Sequence, residues 1–259
     1  MIISFVGKGG TGKTTLSAVL IDYLIKKSGI KPVLAVDADP NFNLNELLGV
    51  DIEGTLSDIR ESLLKKEVPE FMSGYDYVEM RVNEILIESQ DFDLLVMGYP
   101  ETSGCYCPVH AFLSQALDKL LTNYPVTVVD NEAGMEHISR LNLRQMEHLI
   151  LVTDANPRGI LTANRIEELI KTLKLEVGII WLVVNKVPKG MESQVREYVE
   201  KNIKSDVKLL GLIPDDKRVL EYELKGIPVF EWDTDFKEPI HQMFDKLELG
   251  SKKWNGKRH

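Results

Sequence analysis

Cysteine is almost absent from these 259 residues: there are two, at positions 105 and 107. Thiols so close together cannot brace much chain, so a disulfide-built scaffold is excluded and free thiols are expected. Basic residues are outnumbered, 31 against 40 acidic, for a formal charge of −9. Such a chain gains no broad counterion-release affinity for nucleic acid, although a local basic patch stays open. No apolar run approaches the ~18 residues of a membrane-spanning helix. Internal repeats, Pro/Ser linkers and low-complexity tracts are missing too, which predicts one domain over residues 1–259. No charged segment precedes the first apolar run, so a cytoplasmic setting with reduced thiols is expected.

Apolar residues make up 44% and charged residues 27%, enough for a full core and a solvated surface. Ile2 to Val6 is a short apolar run, residues 7–12 are glycine-rich, and 13–27 have helical spacing. Thr14, Leu16, Val19, Leu20, Tyr23 and Leu24 form the apolar stripe of that helix, and Gly29 ends it. A second β-rich run, Val33 to Asp37, follows. Strand, helix, strand in so short a span predicts an α/β fold: a mostly parallel twisted sheet with helices on both faces. Further buried strands are expected at Asp93–Met97, Val126–Asp130, His148–Thr153, Ile179–Val184 and Leu209–Ile213. Helices are expected at 108–122, 135–146, 159–173, 190–203, 216–225 and 236–248. Residues 41–92 are the least regular and read as an insertion carrying short helices. Residues 250–259, with four basic side chains, read as a loose tail.

Gly7-Lys-Gly-Gly-Thr-Gly-Lys-Thr14 fits the phosphate-binding pattern G-x-x-x-x-G-K-S/T, after a strand and opening a helix. Glycines let successive backbone N–H groups turn inward on phosphate oxygens, and the helix adds its positive end. This makes Gly9, Gly10, Thr11, Gly12, Lys13, Thr14 and Thr15 the nucleotide-binding set and predicts a P-loop NTPase. Lys13 is expected on the β- and γ-phosphates, and the Thr14 hydroxyl on Mg²⁺. Two acidic clusters follow strands, where ligands of open α/β sheets bind. The first is Asp37-Ala-Asp-Pro-Asn41. In the second, Asp130-Asn-Glu-Ala-Gly134, Asp130 is expected to hold Mg²⁺ through water, and Gly134 to bring a backbone amide to the γ-phosphate. Asn185 ends a strand without the Asp of a guanine-specifying N-K-x-D, which favours ATP over GTP.

Lys8 makes the loop K-G-G-x-G-K-T, the deviant Walker A motif, and here the chain resembles the MinD/ParA/nitrogenase-iron-protein group of ATPases. That resemblance implies that Lys8 crosses a dimer interface to phosphates held by the partner. It implies that Asp37 to Asn41 is a first switch whose Asp39 orients or deprotonates the attacking water. The expected catalytic set is therefore Lys8, Lys13 and Asp39. The same resemblance puts the strand ends at Asn185, Pro214 and Asp215 on adenine.

Gly104-Cys-Tyr-Cys-Pro108 stands apart. In an extended segment Cys105 and Cys107 point to one face and can converge on a soft metal such as Zn²⁺, Ni²⁺, Cu⁺ or an iron–sulfur unit. Two thiolates leave a tetrahedral site half filled, and a two-fold dimer would supply the pair twice, with His110 a weaker substitute. With Met97 to Cys107, Val129 to His137, Val152 to Asn156 and Gly226 to Val229, the chain looks like the CooC family over residues 1 to 229. These are nickel-insertion ATPases, with a sister group serving acetyl-CoA synthase. The resemblance implies ATP-driven homodimers, Ni²⁺ or Zn²⁺ held by paired Cys105 and Cys107, and delivery of nickel to carbon monoxide dehydrogenase or acetyl-CoA synthase. Tyr99, Thr102 and Ser103 depart from the family pattern. Competing readings are a MinD/ParA-like positioning ATPase and an iron–sulfur electron-transfer ATPase. No nucleic-acid or membrane partner is expected. The stripe Phe236, Ile240, Met243, Phe244 and Leu247 is assigned to core docking because its other face carries both charges.

Overall fold

The computed structural model describes residues 1–99, 107–133 and 145–249, without the side chains of Cys107, Pro108, His110 and Glu167. In chain order the elements begin with β1 (Ile2–Gly7), α1 (Lys13–Lys26) and β2 (Val33–Ala38). Next come α2 (Leu44–Leu48), α3 (Leu56–Leu64), α4 (Gly74–Ile85), β3 (Ile87–Glu88) and β4 (Phe92–Val96). The middle holds α5 (Cys107–Leu121), β5 (Val126–Asn131), β6 (Gln145–Asp154), α6 (Pro157–Leu161) and α7 (Ile166–Leu173). The chain closes through β7 (Glu176–Val187), α8 (Glu192–Asn202), β8 (Val207–Pro214), α9 (Lys217–Leu224) and α10 (Thr234–Phe244).

The strands form an eight-stranded sheet in the order β3-β4-β2-β5-β1-β6-β7-β8. All neighbours run parallel except the short edge strand β3, which pairs antiparallel with β4. The α/β class with helices on both faces is therefore observed. The chain leaves β1 toward β2 on one side, and later places β6 on the other. Strand order thus reverses at β1, and the carboxyl end of that strand opens a crevice.

Alternating residues of the central strands feed two apolar clusters. Phe5, Val33 and Ala35 face α1, α2 and α10; Val6, Leu34 and Val36 face α3, α4, α5 and α8. Burial on both faces is why these strands read as nearly continuous apolar runs. Phe236, Ile240, Met243, Phe244 and Leu247 are all buried, so α10 docks on the core as expected.

Four expectations need correction. Helix α1 has no single apolar stripe: every residue from Leu16 to Leu24 is buried, Asp22 included, because sheet, α2 and α10 surround it. Residues 41–92 are not an insertion. They carry the β2-to-β4 crossover and supply Leu44, Leu47 and Leu48 to one cluster and Ile59, Val78 and Val82 to the other. The expected helix 159–173 is broken into α6, a 3₁₀ turn at 162–165 and α7, opened by the Asn156 side chain capping Arg158 N ahead of Pro157. The expected helix 135–146 ends in strand: Gln145 and Met146 already pair with Glu176 and Val177, and residues 134–144 lie outside the described residues.

Candidate active site

The glycine loop hangs between β1 and α1, and three glycines shape it. A Cβ on Gly7 would sit 2.1 Å from the Val152 carbonyl of β6, so only glycine lets the strands stay paired there. Gly10 and Gly12 take φ of +75° and +93°, the left-handed region that curls the loop. Gly12 also caps α1 without a side-chain acceptor, which leaves the first helical N–H groups available to an anion. Inside the loop the Lys8 carbonyl accepts from Thr11 Oγ1 at 2.8 Å and from Lys13 Nζ at 3.2 Å. Lys13 is buried, Thr14 and Thr15 are half-buried, and Lys8, Gly9 and Gly10 are exposed at the rim.

From the other side the end of β7 braces the loop. Asn185 Nδ2 donates to the Thr11 carbonyl at 2.9 Å, and Lys186 Nζ donates to the Gly10 carbonyl at 2.9 Å. Asn185 Oδ1 accepts from its neighbour's N–H at 2.9 Å, which fits the left-handed φ of +53° at Lys186. The expected base reader thus has one N–H committed to the loop and one lone pair committed to the Lys186 backbone, and Lys186 is a contact the sequence reading missed.

Below the loop lie two carboxylates. Asp37 of β2 and Asp130 of β5 are register partners across neighbouring parallel strands, and both are buried. Asp130 Oδ1 accepts from Ser17 Oγ at 3.3 Å, and the nearby Thr14 hydroxyl favours the charged form of the same carboxylate. Its Oδ2 is buried with no hydrogen-bond partner. Burial, and then the charge of Asp37, push the Asp130 carboxyl up to about 7. Burial pushes Asp37 up to about 6, against the backbone N–H groups that favour its charge. Those donors are Asp39 N and Leu44 N, each at 3.0 Å, so Asp37 shapes the 38–44 loop. Asp39 is half-buried on that loop, its Oδ1 accepting from Asn41 N at 2.9 Å and Nδ2 at 3.2 Å. Asn131 fastens the second acidic cluster to β1, donating through Nδ2 to Ser4 Oγ and the Phe5 carbonyl, both at 2.8 Å.

These groups fit Mg²⁺ chemically. A hydroxyl and an under-bonded carboxylate are hard oxygen donors, and a cation would relieve the strain of two neighbouring buried acids. A pocket of about 320 Å³ opens beside Thr14 and Thr15 and is closed by Asn43, Leu47, Glu223 and Ile227. Thr15 Oγ1 donates to Glu223 Oε1 at 3.3 Å. Asn185, Pro214 and Asp215 do not line it; the latter two end β8, where Asp215 N donates to the Val187 carbonyl at 2.9 Å.

Cys105 and Gly134 lie outside the described residues, as does the Cys107 side chain; the Cys107 backbone opens α5. Among the described residues no three His, Cys, Asp or Glu gather as a metal-holding group, and no helix is long and apolar enough to cross a membrane.

Comparison with known proteins places this geometry in a class. Residues 2–229 match the CbiA model, described as the CobQ/CobB/MinD/ParA nucleotide binding domain, and the chain belongs to that family. An uncharacterized ATP-binding protein of Methanocaldococcus jannaschii is 41% identical over 95% of this chain and 96% of its own length. The carbon monoxide dehydrogenase accessory protein CooC of Rhodospirillum rubrum is 28% identical over 95% and 96%. Among solved structures, MinD of Pyrococcus horikoshii with Mg-ADP superposes at a TM-score of 0.65 and 23% identity, covering 95% of each chain, which is a likeness of fold.

Proposed function

We propose that this protein hydrolyses ATP as a nucleotide-dependent homodimer, and that it binds Ni²⁺ or Zn²⁺ through Cys105 and Cys107 and delivers nickel to an enzyme. The observation that carries the hydrolytic part is the unpartnered, buried Asp130 Oδ2 beneath the loop, on the carboxylate near the Thr14 hydroxyl. Mg²⁺, held by Thr14 and through water by Asp130, would neutralise charge between the β- and γ-phosphates. Loop N–H groups and Lys13 bind the phosphate chain, and Asp39 orients the attacking water. Lys8, exposed at the rim, reaches the partner's nucleotide. The nucleotide extends from the loop into the pocket beside Thr14 and Thr15, and the base is assigned to the strand ends at Asn185, Pro214 and Asp215.

The metal-delivery part is supported by the C-x-C spacing and by similarity to CooC, whose name ties that protein to carbon monoxide dehydrogenase. Soft thiolates select Ni²⁺, Zn²⁺ or Cu⁺ over Mg²⁺, so cargo and cofactor would occupy chemically distinct sites. The partner is then a nickel enzyme, carbon monoxide dehydrogenase or acetyl-CoA synthase. Phosphate release from ATP by the wild type and by Lys13→Ala tests the hydrolytic reading. Turnover that survives the loss of Lys13 would remove it.

A further inference from the structure

The carboxyl end of β4 is tied to the first acidic loop at its base. Met97 N donates to the Asp37 carbonyl at 2.8 Å, and the Met97 carbonyl accepts from Ser57 N at 3.0 Å and Ser57 Oγ at 2.9 Å. The next residue turns the chain. Gly98 has φ +75°, and a Cβ there would lie 2.4 Å from Thr55 Oγ1, the cap of α3. The turn brings Tyr99 to the tip of the same loop, where its phenol donates to Asn41 Oδ1. The other end of the Asn41 amide is already engaged, since Nδ2 and the backbone N–H both donate to Asp39 Oδ1. Tyr99, Asn41 and Asp39 are therefore linked in series.

Tyr99 is 55% exposed and belongs to neither apolar cluster. Packing does not account for an aromatic residue there, so the hydrogen bond is its visible contribution.

We propose that Tyr99 is a positioning residue: through Asn41 it holds the Asp39 carboxylate in place. This rests on the water-orienting role given to Asp39 above. Steady-state ATP hydrolysis by Tyr99→Phe, Asn41→Ala and the double variant tests it. Loss of one hydrogen bond that sets the geometry of the reacting step should lower kcat about three- to tenfold. KM and the affinity for ADP should stay within about twofold, because ground-state binding is untouched. The double variant should be no slower than Asn41→Ala alone, since both changes cut one chain. Melting temperatures should match the wild type, because the phenol is not part of the core. With wild-type turnover abolished by Lys13→Ala, an unchanged kcat in Tyr99→Phe, or a double variant showing the product of the single effects, overturns the link while leaving the hydrolytic reading intact. A wild type without turnover overturns both.

Discussion

Asp37 and Asp130 face each other across adjacent parallel strands, register partners in the interior, and each carboxyl is held well above the ordinary value of 3.8. A folded protein gains nothing from burying two acids side by side. The pair lowers the stability of the bare fold, and a bound cation would compensate for it.

The sign of that cost can be checked. A carboxyl whose folded pKa is raised binds its proton more tightly when folded, so stability falls as pH rises from about 4 to about 7 for Asp130. Asp130→Asn carries no such penalty. It is expected to exceed the wild type by a few kcal/mol near pH 8, with the gap closing toward pH 4. Thermal melting without nucleotide or Mg²⁺ at several pH values measures it. Parallel curves for the two proteins would contradict the pair's ionisation. Activity should be lost in the variant at every pH.

Asn185 and Lys186 brace the outside of the loop at Thr11 and Gly10. Removing the Lys186 contact frees an exposed carbonyl and loosens the curl. Lys186→Ala should weaken ADP binding about three- to tenfold, leave the melting temperature unchanged, and shift KM more than kcat. Equilibrium titration with a fluorescent ADP analogue checks this.

Asp22 is the anchor that holds α10 to α1. It lies 3.1 Å from Lys237 Nζ, 3.0 Å from Lys26 Nζ and 3.2 Å from His241 Nε2, and Lys237 is itself buried. Asp22→Ala leaves the Lys237 ammonium with only the Val229 carbonyl, and should cost about 3–5 kcal/mol in urea unfolding. Asp22→Ala combined with Lys237→Met should recover part of that loss.

The thiol pair makes a separate prediction. Cys105→Ser with Cys107→Ser should abolish tight Ni²⁺ and Zn²⁺ binding while nucleotide affinity stays as in the wild type. Equilibrium dialysis would show it, and one metal still bound per dimer would place the site elsewhere.

What the sequence made legible were features encoded by neighbours in the chain. The glycine loop and its lysines are one uninterrupted run, and Asp130 ends an obvious strand. The pairing of Asp37 with Asp130 was not legible, because it depends on β5 entering between β1 and β2, and strand order is not written locally. The same holds for Lys186 against Gly10, for Asn131 against Ser4, and for the pocket wall at Glu223–Ile227. Helices α3 and α4 had a readable signal in Thr55 with Asp58 and Ser73 with Asp76, the capping pairs that open them. They were obscured because each shows only a narrow apolar face. The early start of β6 was hidden by its polar alternation, Gln145 and Glu147 around buried Met146.

The central claim is that one metal ion is shared between two subunits under nucleotide control. Sedimentation equilibrium with a graded supply of Ni²⁺, in ADP and in a non-hydrolysable ATP analogue, tests it most directly. The expected result is one Ni²⁺ per dimer, bound more tightly with the ATP analogue, and reciprocal tightening of the dimer by the metal. Monomers in every condition, or a metal affinity indifferent to nucleotide, would contradict it.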